Sequence, residues 1–125
     1  MRAELERQLG RAYDSAYYRS KKKKIPFCLS KKDLIEIYDR QNGICFYSGI
    51  KMNVSKSKEY ANDPYKMSVD CIDPEKGYVK ENIVLCLFCI NSFKQKMKVD
   101  EMLLICSKIS ERNNEKKTTR TEGND

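Results

Sequence analysis

The hydrophobic period of the stretch from Met67 to about Lys98 changes part-way along, and that change limits what the chain can fold into. Met67 to Asp73 alternates apolar and polar side chains in strand fashion. Pro74, Glu75, Lys76 and Gly77 supply turn formers. Asn82 to Leu87 (NIVLCL) reads as a second apolar strand, and helical spacing then takes over up to about Lys98. A strand, a turn, a strand and a helix therefore follow one another directly, which predicts an α+β fold around a small strand pair.

The flanks read as helices. Leu5, Leu9, Ala12, Tyr13 and Ala16 recur at helical spacing and predict a helix over residues 3–20. Lys21, Lys22, Lys23 and Lys24 follow, and Pro26 closes the segment. A second helix is predicted over 31–41, with Ser30 as its N-cap, Asp33 three residues on, and Gly43 after Asn42 as its stop. Cys45 to Met52 reads as a short extended stretch broken by Gly49, and residues 53–65 as a polar loop. Asp100 is the expected cap of a last helix carrying Met102, Leu103, Ile105, Cys106 and Ile109. Residues 113–125 (NNEKKTTRTEGND) lack core formers and are expected to be a disordered tail. The organisation read from this pattern is an N-terminal helix and basic linker over 1–25, one domain over 26–112, and the tail.

Charge and cysteine usage narrow the function. The net charge is +7, from 25 Lys and Arg against 18 Asp and Glu, which favours polyanions such as nucleic acid or an acidic membrane surface. No apolar run approaches a membrane span, and the acid-bearing N-terminus is unlike a secretory signal, so an intracellular protein (cytoplasmic, or at the nucleoid or nucleus) with no membrane partner is expected. The six cysteines are then thiols or metal ligands rather than disulfides. The chain has no histidine, so no imidazole is available as base or ligand. Lys21 to Lys24 are either a solvated linker or a phosphate grip with Tyr17 and Tyr18 beside it for stacking.

The segment SVDCIDPEKGYVKENIVLCLFCINSFK, Ser68 to Lys94, resembles the HNH nuclease family, particularly its phage and mobile-element branch. Asp70, Cys71, Ile72 and Pro74 match the family's opening, Gly77 its turn, Asn82 its central Asn, and Asn91 and Lys94 its close. Upstream, NGICFYSG (Asn42 to Gly49) resembles the family's first cysteine knuckle. The resemblance implies a small ββα-metal core flanked by helices, holding a divalent cation, Mg²⁺ or Mn²⁺, over a scissile phosphate. It further implies that Asp70 and Asn91 bind this metal, that position 71 carries the water-activating base, and that Asn82 positions that base and pins the loop. Asp70, Cys71 and Asn82 are thus the candidate catalytic residues, and Lys21, Lys22, Lys23, Lys24 and Lys94 the candidate nucleic-acid contacts. Position 71 departs from the family, which has histidine there; the candidate substitutes are Tyr78, Asp73, or a metal-bound water that ionises without a protein base.

Zinc-bearing members brace this motif with four cysteines. Here Cys86 and Cys89 lie one step out of that register, which falls on Leu87 and Ile90, and one step on a helix turns a side chain by about 100°. Ser48 stands where the partner of Cys45 belongs. A structural zinc is therefore not expected, with Cys86 and Cys89 read as small core residues; Cys45, Cys86 and Cys89 are the ligands if zinc is present. The leading expectation is a metal-dependent endonuclease hydrolysing DNA phosphodiesters, with RNA as a second candidate partner. The alternative is a catalytically inactive, HNH-derived nucleic-acid-binding module. A thiol redox role for Cys86-Leu-Phe-Cys89 is disfavoured by its apolar flanks.

Overall fold

The computed structural model describes residues 2–55 and 62–123, with side chains as far as Lys117. Helix α1 spans Arg2–Lys23, strand β1 Phe27–Cys28, helix α2 Lys31–Arg40, strand β2 Met67–Cys71 and strand β3 Tyr78–Val79. A 3₁₀ turn, Lys80–Asn82, leads into strand β4 (Ile83–Leu87), followed by helices α3 (Phe88–Lys94) and α4 (Val99–Gly123). The α+β expectation holds. Part of the polar loop expected over 53–65 lies outside the described residues.

The centre is the antiparallel pair β2 and β4, in which Met67 faces Leu87, Asp70 faces Val84 and Cys71 faces Ile83. A two-stranded ribbon is marginal in water by itself. Here every residue of both strands is buried, because α1 packs on β2, α2 on β4, and α3 across both. The free edge of β4 is satisfied by a side chain. Gln41, at the end of α2, donates to the carbonyl of Leu85 (2.9 Å) and accepts from its amide (3.0 Å), copying a strand partner.

Helix α1 buries Leu5, Leu9, Ala12, Ala16 and Ser20, one stripe at three- and four-residue spacing, in the core shared with Leu34, Val69 and Leu85. It therefore belongs to the same folding unit as residues 26–112. It runs one turn further than its apolar stripe predicts, because Lys21, Lys22 and Lys23 sit in the last turn, where cations complement the helix dipole. Lys24 then turns left-handed (φ +57°) and the helix stops. At α2, the Ser30 hydroxyl accepts from the Asp33 amide (3.1 Å), and the Asp33 carboxylate accepts from the Ser30 amide (2.9 Å). The stop is also as expected: Asn42 and Gly43 both have positive φ, and a Cβ at Gly43 would lie 2.8 Å from the Tyr38 hydroxyl.

Three elements differ from expectation. β1 pairs in parallel with β3, a long-range contact with no local signature. It forces Gly77 to be glycine, since a Cβ there would stand 2.7 Å from the carbonyl of Pro26. Helix α3 ends at Lys94 rather than near Lys98, because Gln95 adopts φ +46°. Glu101, not Asp100, then satisfies the start of α4, accepting from the Lys98 amide (3.2 Å). The tail expected to be disordered continues α4 to Gly123, in a segment with no proline and no glycine before its last residue. Of its described side chains only Met102 is buried, so the rest of α4 stands away from the core.

Candidate nucleic-acid interface and the Asp70 ion pair

Strand β2 places Asp70 and Cys71 side by side, and the pleat directs their side chains to opposite faces. Asp70 is 4% exposed, yet both carboxylate oxygens are engaged. Oδ1 pairs with Lys94 Nζ at 3.3 Å, and Oδ2 accepts from the Tyr47 hydroxyl at 2.5 Å. Lys94 has no exposed surface and donates a second bond to the Cys71 carbonyl (2.9 Å). One turn earlier on α3, Asn91 donates to the Ser68 hydroxyl (2.6 Å) and to the Val69 carbonyl (3.2 Å). Helix α3 is thus clamped to β2 by two polar side chains three residues apart.

Helix α1 holds the same strand at the same carbonyl. Arg19 donates to the Val69 carbonyl (2.8 Å) and to the Tyr78 hydroxyl (3.2 Å), with its guanidinium 5.9 Å from the centre of the Tyr78 ring. Lys94 pairs with Asp70, and the charge of Arg19 also acts on that carboxylate.

The environment sets the protonation states. Burial pushes the Asp70 carboxyl above the usual range, opposed by the Tyr47 hydroxyl and the charges of Lys94 and Arg19. Burial, aided by the negative charge of Asp70, pushes the Cys71 thiol up to about 11, against the fields of Lys94, Arg19 and Lys23. At neutral pH, with no metal beside it, Cys71 therefore keeps its proton. Tyr78, a substitute base in the sequence reading, is buried and also shifted upward by burial. Asp73 receives the amide of Glu75 (3.0 Å) in the turn.

Asn82 pins the loop that follows Asp70 and Cys71. Its Nδ2 donates to the carbonyls of Asp73 (2.9 Å) and Gly77 (2.8 Å), and its Oδ1 accepts from the Asp73 amide (3.1 Å). One buried amide therefore closes the loop between β2 and β3.

The divalent cation implied by the family resemblance does not fit these residues. Its carboxylate ligand already holds an ammonium. At an effective dielectric of about 20, each further unit of positive charge about 4 Å from that ammonium costs about 4 kcal/mol. Asn91 presents its NH₂ to β2. Among the described residues no three His, Cys, Asp or Glu side chains gather into a metal-holding group.

The alternative zinc set is likewise not brought together. Cys45 and Cys86 are buried, whereas Cys89, expected in the core, is exposed. The strand-to-helix change at Phe88 puts Cys86 on the inside of β4 and Cys89 on the outer side of α3. The Cys45 turn closes on itself instead. The Cys45 amide donates to the Ile50 carbonyl (2.8 Å), Gly49 (φ +73°) donates to the Cys45 carbonyl (3.0 Å), and the Cys45 sulfur accepts from the Leu87 amide (3.4 Å). Ser48 accepts the Ile50 amide (3.2 Å).

Lys21 to Lys24 are all exposed. Lys21 lies over the ring of Tyr17 (5.3 Å), Tyr18 is 71% exposed, and the charge of Lys23 reaches Cys71. The basic turn follows Arg19 on the same helix. Lys94, expected among the phosphate contacts, points inward. Arg19 and Tyr47 were not among the residues expected at the site. Arg19 had a legible signal, being three residues beyond Ala16 on the apolar stripe; Tyr47 had none, because its role depends on a strand far along the chain.

No protein-family model, curated protein or solved structure matches the chain. Among the described residues no helix is long and apolar enough to cross a membrane.

Proposed function

We propose that this chain binds nucleic acid through the basic end of α1, on an HNH-like ββα unit (β2, β4 and α3) in which an internal ion pair stands where the family uses a catalytic metal. The observation that carries this reading is the fully buried Lys94 ammonium on Asp70. The carboxylate that would hold a cation is spent inside the protein. The exposed Lys21, Lys22, Lys23 and Lys24 meanwhile offer four cations at one helix end, with Tyr18 available for stacking. Contacts of this kind position a phosphate backbone without reading sequence.

The test is fluorescence anisotropy with labelled duplex DNA, single-stranded DNA and RNA across a salt series. Binding weakens with salt, and replacing Lys21, Lys22 and Lys24 with Ala flattens the slope by up to about 0.9 per lost duplex contact. Salt-independent binding, or a triple variant that binds like the parent, refutes the proposal.

One observation favours a second reading, an endonuclease hydrolysing DNA phosphodiesters with Mg²⁺ or Mn²⁺. Asn82 locks the loop after Asp70 and Cys71 as that chemistry would require. On this reading Asp70 must leave Lys94 before it takes a metal. Supercoiled plasmid incubated with either cation decides: nicking that disappears in Asp70→Ala establishes the nuclease, and intact plasmid with binding retained leaves the binding module.

A further inference from the structure

A buried carboxylate needs a positive charge beside it, and in most nuclease chemistry a metal supplies that charge. Here α3 supplies it. Lys94 lies one turn beyond Asn91, and both side chains reach the same strand. The ammonium has two acceptors, Asp70 Oδ1 at 3.3 Å and the Cys71 carbonyl at 2.9 Å, and no exposed surface. These partners, a carboxylate and a backbone carbonyl, are hard oxygen donors of the kind a divalent ion takes. The Tyr47 hydroxyl seals the second carboxylate oxygen, so solvent does not compete for it. Among the described residues no buried side-chain nitrogen or oxygen lacks a hydrogen-bond partner, so the arrangement is complete without an added ion.

We infer that Lys94 is the resident cation of the Asp70 site, and that removing its charge uncovers a latent site for a hard divalent metal on Asp70 and the Cys71 carbonyl. The wild-type chain then takes no divalent ion at Asp70, whatever it binds on its basic face. This differs from a simple structural salt bridge, in which the lost partner leaves only an unstable protein and no new affinity. It also stands apart from the nucleic-acid reading, since its readout needs no nucleic acid.

Mn²⁺ is the probe, followed by electron paramagnetic resonance of the free ion and by thermal unfolding. Wild type and Asp70→Asn are expected to take up Mn²⁺ equally weakly, with no Mn²⁺-dependent shift in Tm. Lys94→Ser, which leaves room for an ion and its waters, is expected to bind one Mn²⁺ at least tenfold more tightly than wild type and to gain Tm with it. That gain should vanish when Asp70→Asn is added. Lys94→Gln serves if the serine variant does not fold, because its shorter, neutral side chain fills part of the cavity and leaves Asp70 without a counter-charge; refolding of either variant by Mn²⁺ supports the inference. Uptake of Mn²⁺ by wild type that Asp70→Asn abolishes overturns it, as does a folded Lys94 variant with no gain in Mn²⁺ affinity.

Discussion

Asp70 on β2 and Cys45 in the turn before it are the two places where the sequence pattern leads one to look for a metal, and the protein closes them differently. At Asp70 a whole charge, Lys94, is brought into the core, with Tyr47 on the remaining oxygen. At Cys45 no charge is brought in; the turn closes with backbone hydrogen bonds, and the sulfur takes one amide from Leu87. The difference follows from acid strength. A carboxyl ionises readily and, once buried, must find a cation, whereas a thiol can keep its proton and behave as a small apolar group. Elsewhere in the core, burial pushes the thiols of Cys86 and Cys71 upward. The carboxylate is thus satisfied by a charge, and the cysteine turn by packing and backbone hydrogen bonds.

The comparison breaks first at Lys94. Lys94→Met strands the buried Asp70 charge and should cost about 3–5 kcal/mol in urea denaturation. Adding Asp70→Asn should return much of that loss, since a neutral amide needs no counter-charge. A double variant no more stable than Lys94→Met would mean that Lys94 matters for its packing, and the contrast with Cys45 would collapse.

At the turn the expected effect is smaller. Cys45→Ala removes a buried sulfur and a weak acceptor, and should cost about 1–2 kcal/mol with no change on adding a chelator. A chelator that destabilises the parent but not this variant would show that the turn holds a metal after all.

The smallest effect is in pH dependence. The folded thiol of Cys71 titrates at about 11, above its ordinary value of 9.0. The group's contribution is therefore fully present below about pH 9 and is lost as pH rises through about 11. Cys71→Ala should flatten the fall in stability across that window. It should not abolish the fall, because Cys86 is shifted in the same direction. Equal alkaline slopes in parent and variant would place Cys71 in solvent.

Much of the strand–turn–strand–helix order was legible, because alternation at Val69 to Cys71 and apolar continuity at Ile83 to Leu87 are local signals. The capping box at Ser30 and Asp33 and the stop at Gly43 were legible for the same reason. The loop-pinning role of Asn82 was reached through resemblance, and its hydrogen bonds agree with it. The burial of Lys94 was not legible. A lysine at the end of a helix ordinarily faces water, and only the packing of α3 on β2 turned this one inward. The exposure of Cys89 escaped for a related reason, since the exact residue at which a strand becomes a helix decides which face a side chain takes.

By itself the sequence determined the local elements, their order, the positive charge of the chain and the absence of imidazole, since these depend on residue type and spacing alone. The tertiary structure alone decided which polar groups met. Asp70, Tyr47, Lys94 and Arg19 come from four separate parts of the chain, and their partnership depends on α1, the Cys45 turn and α3 converging on one strand. Pairing across such distances depends on how buried charges find partners once water is excluded, and no short window of sequence contains that information.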